Sequence, residues 1–538
     1  MTQNLDEIIK HDDEVLESFG YKQQMKRRFS RISLLAMGFC VLNTWQALGS
    51  TLSLALSNGG PSAILWGSVF CMLGNTFLAL SMAELTSAWP TASGSYHWVS
   101  QIIPNNKPYR RLAVWITGWT NLVAWWMMAI SAAILGAQCV MAGGIIITPS
   151  FYPERYQTWL VFLGFVLTGG IFNTFCIRIM HWYTRVTMYW SFAAFIAFII
   201  VIVATTDNDK RASASWVFGG FANLMGWPDG FSWLLGMAQT SALCFTGYDS
   251  IVHMCEELPN PTVAAPFALV FTPITGGITG FLFLVALLFQ VSDVDAASSA
   301  YLALAEIASA SAGKAGGTIL TMFIAIGLGV GTWLDIMTCS RLTYALARDK
   351  AYIFPSFFDS VSPTFNVPVN AVWISTAIIG AIGAIYIASV SAFNAIIGGC
   401  VIFINWSYSI PIILLLIFGR DRLGPRPFSL GKWGYIINIL AVLYALFTSI
   451  LNFFPFGIPV TVPTMNYVCV VVGGIYFLLA GYWILWARNR FVVPKMEILS
   501  GAFDYQEDDN YPKPTETRPL SSESFSSTSK GFKDPQVL

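Results

Sequence analysis

Twelve apolar runs, each about 20 residues long and closed by a turn or a charge, follow one another between Ser33 and Trp486. A helix of that length crosses the hydrocarbon of a bilayer, and a chain carrying many of them in close succession cannot fold as an ordinary soluble domain. The expected spans are 33–56, 62–86, 112–147, 157–179, 183–206, 231–255, 265–291, 316–341, 370–390, 393–418, 433–454 and 465–487. Composition agrees: 55% of the residues are hydrophobic and only 11% are charged, where a soluble domain devotes about a quarter to charge. The fold class is therefore all-α membrane protein, with about 12 transmembrane helices. The 29 basic and 29 acidic residues cancel, so net charge says nothing about nucleic acid or acidic partners and where the charges fall matters more; no nucleic-acid partner is expected.

Where the charges fall gives the topology. Lys22, Lys26, Arg27, Arg28 and Arg31 precede the first span, and the polar first thirty residues do not read as a secretory signal. Alternate connections and the C-terminal flank carry Lys107, Arg110, Arg111, Arg178, Arg185, Arg341, Arg348, Lys350, Arg420, Arg422, Arg426, Lys432, Arg488, Arg490 and Lys495. The opposite connections hold Arg155, Lys210, Arg211 and Lys314. An even number of spans with both termini cytoplasmic follows from the asymmetry. The expected organisation is a cytoplasmic tail over 1–31, a transmembrane domain over 32–490 and a cytoplasmic tail over 491–538. Its last residues, rich in Ser, Thr, Pro and charge, are expected to be disordered. The nine cysteines form no CxxC pair and fall in or beside apolar runs. They read as packing residues, and no metal or cofactor is expected.

The stretch "SALCFTGYDSIVHMCEELPNP", residues 241–261, places Asp249, His253, Glu256 and Glu257 in and just beyond the sixth run. An intramembrane ionisable group is by default a functional candidate. The first run, "SLLAMGFCVLNTWQALGSTLSLALSNGGPS", shares with the sixth a glycine in a polar patch near mid-span and a Pro-containing turn at its end. Two such runs, five spans apart, suit an inverted repeat of five helices whose interrupted members meet at the midplane. Close packing at Gly49 and Gly247 would explain the same glycines without any break.

Five segments carry a family resemblance: "GSTLSLALSNGGPSAILWG" at 49–67, "AELTSAWPTASGSYHW" at 83–98, "GWPDGFSWLLGM" at 226–237, "GYDSIVHMCEELPNP" at 247–261, and "SRLTYALARDK" with "FPSFF" and "VPVNAV" between 340 and 372. The chain resembles the amino acid-polyamine-organocation superfamily of secondary transporters, and within it the fungal amino-acid/choline permeases that include GABA and choline permeases. The resemblance implies a LeuT-like fold, an inverted five-helix repeat with helices one and six broken, and alternating access around a central site between them. Transferred by residue, it implies a substrate-carboxylate site at the amides of Gly49, Ser50 and Thr51, with Trp45 nearby. It implies a second half-site at Phe245, Thr246, Gly247, Tyr248 and Asp249. Relatives that couple through a lysine in helix five have no counterpart here, where the nearest cation is Arg185.

Two readings fit Asp249: an N-cap of the second half of helix six, or a cavity-facing carboxylate that takes an amine or the coupling proton. His253 lies one turn on, and Glu256 and Glu257 two turns on, so the four can form a proton relay along one stripe. Alternatively, the glutamates close an inner gate on Arg341 or Arg185. Asn43, Thr44, Trp45 and Gln46 are candidates for cavity lining; Glu84 for anchoring the loop that follows it. Asp335 lies on helix eight, and Thr338 and Ser340 follow it; in sodium-coupled relatives of the same fold, hydroxyls on this helix help bind the ion, although such hydroxyls also bond back to helical carbonyls. Trp125, Trp126, Trp333 and Trp406 add aromatic faces that attract ammonium groups. No nucleophile elbow, phosphate loop, paired carboxylates or metal-spaced cluster supports an enzyme, and no filter-like repeat supports a channel. The expected protein is a permease in the plasma membrane, in contact with lipid, that moves an amino acid or GABA-like amine with a proton. Choline uptake and metabolite export are the alternatives.

Overall fold

A computed structural model describes residues 2–291, 293–462 and 465–494; the serine-rich end of the expected C-terminal tail lies outside the described residues. Among those residues the structure is helical, apart from one isolated bridge between Asn58 and Asn223. Each of the twelve expected spans is present. Span one runs as Arg31–Leu42, Thr44–Ser50 and Leu52–Ser57, and is followed by Gly60–Ala88, Arg110–Ile147, Arg155–Phe175 and Met180–Thr205. Span six is the pieces Asp229–Ser241, Leu243–Phe245, Ser250–His253 and Cys255–Glu257. Spans seven to twelve are Pro261–Leu288, Ala303–Arg348, Val369–Gly383 with Ile385–Ala388, Val390–Phe418, Gly434–Phe453 and Val468–Leu485. Eleven helices among the described residues are long and apolar enough to cross a membrane. Span six is the exception, because its pieces are too short to qualify.

The boundaries follow from local chemistry. Ser30 and Ser33 form a capping box that starts span one. Pro261 opens span seven, where its missing N–H costs nothing. Gly313, at φ 68°, bends the outer end of span eight, so the straight part begins beyond it. Small residues then set the packing. Span three runs antiparallel along span eight: Gly118 lies against Leu346, Gly136 against Leu328 and Gly143 against Met322.

Burial orders the bundle from centre to rim. In span one 89% of the apolar window is enclosed by protein, in span eight 72%, and in span twelve only 17%. The broken helix is therefore central, while Val470, Phe477, Leu478 and Leu485 of span twelve present an outward apolar face suited to lipid. An additional helix, Thr2–Ser18, precedes span one. The segment after it runs across the C-terminal ends of spans six and eight, where the Arg28 and Phe29 amides meet Glu257 and the Tyr21 hydroxyl meets Asp349.

Candidate functional site

The two interrupted spans meet. Asn43 leaves the helix in the left-handed region, φ 44° and ψ 32°, a conformation Asn tolerates better than most side chains. Its Nδ2 donates to the Gly327 carbonyl of span eight at 2.9 Å, which fixes the turn. In span six Thr246 is extended and Gly247 has φ 103°. A Cβ on Gly247 would stand 3.4 Å from Val41, 3.5 Å from Met128 and 3.6 Å from Trp125, so the breaks face each other beside span three.

Span one is interrupted first at Asn43 and again at Thr51, φ −93° and ψ 1°, beside the expected Gly49 and Ser50. The Thr51 amide is already bonded to the Ala47 carbonyl at 3.0 Å, and the Ser50 hydroxyl donates to the Gln46 carbonyl at 2.9 Å. Gly49 is helical and makes room for Phe283 and Leu304. Its role is close packing. The amides that open the outer half of span one belong to Thr44 and Trp45, because the Gln46 amide already bonds the Asn43 carbonyl. The Trp45 side chain points away from the breaks, against Phe195 and Phe283, with its Nε1 donating to Ser191 at 3.1 Å.

Asp249 occupies the cap position of Ser250–His253 but makes no capping bond. Its carboxylate turns sideways instead. Oδ2 accepts from Asn121 Nδ2 at 3.0 Å and Trp125 Nε1 at 3.1 Å, and Oδ1 accepts from the Tyr408 hydroxyl at 2.5 Å. The Tyr408 oxygen also receives the Gly247 amide at 3.3 Å, tying span ten to the break. Tyr248 is stacked obliquely on Tyr408, with ring centroids 5.4 Å apart, and donates to Asn75 of span two. Phe245 is fully enclosed, and the Thr246 hydroxyl bonds back to the Leu243 carbonyl.

His253 stands one turn below, its Nε2 3.4 Å from Asp249 Oδ2 and 3.1 Å from Asn121 Oδ1. Its Nδ1 lies 2.7 Å from the Ala92 carbonyl. Asn121 keeps this orientation because its Nδ2 also donates to the Ser407 hydroxyl at 2.9 Å, while that hydroxyl donates to Ile404. Both imidazole nitrogens therefore face acceptors, and only the doubly protonated ring has a donor for each.

The four expected titratable residues separate into two groups. Glu257 pairs with Arg341 at 2.8 Å, and Glu256 with Arg348 at 3.0 Å. Arg185 bonds the His181 carbonyl on its own helix. The loop after span two joins the two groups: the Ala92 carbonyl accepts from His253, and the Ala92 amide donates to Glu256 at 3.2 Å. Gly94, at φ 59°, lets the loop approach, since a Cβ there would meet His253 at 2.9 Å. Glu84 does not hold that loop. It receives Arg420 and Arg426 together with the Leu430 amide, and so anchors the connection between spans ten and eleven.

The N-terminal chain covers this inner cluster. Asp12 accepts from the Asn260 amide at 2.8 Å, and the Arg28 and Phe29 amides donate to the Glu257 carbonyl at 2.9 and 3.2 Å. Tyr21 lies under the Arg348 guanidinium, 3.6 Å from ring centroid to carbon. The hydroxyls of Tyr21 and Tyr96 both donate to Asp349. Burial pushes the Asp349 carboxyl up to about 6, and burial with the nearby Arg348 pushes the His97 ring down to about 3.

Asn121, Ser407, Tyr408 and Arg348 were not singled out from the sequence; a polar side chain in an apolar run, as in "WTNLVAWW" and "NWSYSIP", was the available signal. Trp333 stacks on Phe172 and Tyr183, and Trp406 on Tyr476, both away from the breaks. Trp126 packs on Trp119. The Thr338 hydroxyl bonds back to the Leu334 carbonyl and the Ser340 hydroxyl to the Met337 carbonyl.

Residues 29–475 match the sequence profile of the amino acid permease family. The chain belongs to that family. It is 30% identical over 476 residues to a choline transporter of Saccharomyces cerevisiae, covering 87% of this chain and 83% of that one. It is 28% identical to the amino-acid permease BAT1 of Arabidopsis thaliana, covering 90% of this chain and 96% of the relative. Among solved structures, the fold is similar to MhsT in complex with L-phenylalanine, with TM-score 0.56 at 13% identity over 80% of this chain and 98% of that one. This permease is thus a multi-pass membrane transporter of LeuT-like fold, and not an enzyme.

Proposed function

We propose that this permease carries an amino acid or a related small amine by alternating access, with the substrate held between the breaks at Asn43 and Gly247 and a proton as the coupling ion. The observation that carries the reading is the meeting of two interrupted helices beside a buried carboxylate, Asp249, whose partner His253 needs a second proton to satisfy its acceptors. The amides of Thr44 and Trp45 open a half-helix, where partial positive charge favours a substrate carboxylate. Asp249 is held by Asn121, Trp125 and Tyr408, which leaves it better suited to a proton shared with His253 than to a direct ammonium contact. Glu256, Glu257, Arg341 and Arg348 act as the inner gate. The basic flanks support cytoplasmic termini, and the plasma membrane is the proposed location.

Choline is the second reading. The yeast relative named for it supports it, as do the aromatic faces of Trp125, Tyr248 and Tyr408 around one carboxylate. Uptake by the purified protein in liposomes, screened over amino acids, GABA and choline with and without an uncoupler, separates the two. Saturable uptake of a carboxylated amine that collapses with the proton gradient is expected. Transport of choline and of no carboxylated amine would replace the first reading with the second.

A further inference from the structure

Most of the enclosed carboxylates in the membrane domain have an evident partner: Glu84 has Arg420 and Arg426, Glu256 has Arg348, Glu257 has Arg341, and Asp249 has its ring of donors. Asp335, near the middle of span eight, has none. It is 0% exposed, and neither carboxyl oxygen has a hydrogen-bond partner. An ionised carboxylate cannot be held in that condition, since both its charge and its lone pairs would be unmet. The neutral acid can. We propose that Asp335 is a proton-binding site of the transport cycle, loaded in this closed conformation and emptied when the helix packing around it opens to water.

The surroundings fit a proton and nothing larger than a proton is needed to fill an enclosed site. The titratable groups that bear on Asp335 are the thiols of Cys339, one turn along the same helix, and Cys400 of span ten. Cys400 lies within electrostatic range of both Asp335 and Asp249 and bonds the Ala124 carbonyl next to Trp125, so the two carboxyls border one packed layer. Spans one, three, nine and ten carry no charged residue over 32–57, 112–147, 369–388 and 390–418. Span six brings Asp249 and His253, which are engaged with each other. His181 and Arg185 sit at the inner end of span five, where Arg185 bonds back to its own helix. Span four, which packs on this turn through Gly169 and Asn173, is uncharged over 156–175, and Arg341 on the same helix is paired with Glu257, so among the described residues no cation is recorded against Asp335.

A moving part lies beside it. Gly331, one turn before Asp335, would carry a Cβ 2.5 Å from Asn43 Nδ2, and Asn43 also bonds Gly327. The hinge of span one is thus docked on the adjoining turns of span eight. Tilting span one during alternating access removes part of the wall near Asp335, and the acid can then release its proton to entering water on that side. The carboxylate left behind stays in contact with water while the empty carrier returns and takes its next proton from the opposite side, so one proton crosses for each cycle and no electron moves.

The inference deepens the proton-coupled reading and rests on it, and the test separates the two. Purified protein in liposomes is given a saturating amine substrate found by the uptake screen, with internal pH followed by a trapped dye. If wild type moves substrate without moving protons, the coupled reading fails and Asp335 fails with it. If wild type is coupled, Asp335→Asn, which imitates the neutral acid, is expected to fold, bind substrate and exchange it across the membrane at near wild-type rate. It should lose proton movement and all stimulation by a pH gradient. Undiminished proton flux in Asp335→Asn would overturn the inference while leaving the coupled reading intact. So would failure of Asp335→Asn to fold, because the neutral form is the one assigned to this state. Asp335→Glu, which restores a titratable group, is expected to recover part of the proton flux.

Discussion

At the scale of single residues, two side chains do something other than their position along the helix suggests. Asp249 sits at a helix start without capping it, and its bonds go to spans three and ten. Asp249→Asn keeps the volume and one acceptor oxygen for Asn121 and Trp125 but turns a donor toward the Tyr408 hydroxyl and removes the charge. It should reach the membrane in normal amount and lose gradient-driven uptake, as measured by surface labelling beside substrate accumulation. Wild-type uptake at equal abundance would remove Asp249 from the coupling machinery. His97 and Asp349 provide a test by pH, because both are buried under residues 19–29 and their shifts have opposite sign. Asp349 titrates at about 6 against an ordinary 3.8, so its contribution to closure is largest at low pH and is lost as pH rises through that window. His97 titrates at about 3 against 6.5, so its contribution is present above 6.5 and lost as pH falls. Between pH ~7 and ~5 the two oppose each other. On acidification, protection from hydrogen exchange over residues 19–29, taken relative to the intrinsic rate at each pH, should rise in His97→Gln, where Asp349 acts alone, and fall in Asp349→Asn. The same trend in both variants would contradict the assignment.

At the scale of elements, the break in span six depends on backbone conformation more than on space. Gly247 has φ 103°, yet an added Cβ would find only ordinary contacts, the nearest at 3.4 Å. Gly247→Ala should therefore cost about 1–2 kcal/mol through the left-handed conformation alone, read as a lower unfolding temperature in detergent. Substrate affinity should fall with it, since the break positions Asp249. Gly49 presents the reverse case. It is helical, and its substitution meets Phe283 at 2.8 Å, so Gly49→Ala should disturb packing between spans one and seven without unwinding anything. An unchanged melting temperature in Gly247→Ala would mean that the helix can adopt another path through the break.

At the scale of the whole molecule, the proposed inner gate consists of the ion pairs of Glu256 and Glu257 together with the chain that precedes span one. Arg341 and Glu257 are both nearly inaccessible, and removing one partner of such a pair strands the other; Arg341→Ala should cost about 3–5 kcal/mol, measured by thermal unfolding. Replacing both with apolar residues of similar size should recover stability while leaving the inner side open, which accessibility of a cysteine placed near Ala92 would report. Recovery of normal transport by that double variant would dismiss the gate. The sequence alone was enough for the membrane class, all twelve spans and the break in span six, because length and hydrophobicity are local quantities set by the bilayer, and a glycine in a polar patch is visible without its neighbours. The interruption of span one at Thr51 falls in the expected segment, but the one at Asn43 was not legible, because the Gly327 carbonyl that fixes it lies far along the chain. Titratable residues could be named from the sequence but not their partners, since Asn121, Tyr408 and Arg348 lie more than ninety residues from the groups they bind. Asp335 and Asp249 look alike in sequence, each an acid in an apolar run. Tertiary packing alone surrounds one with donors and leaves the other bare.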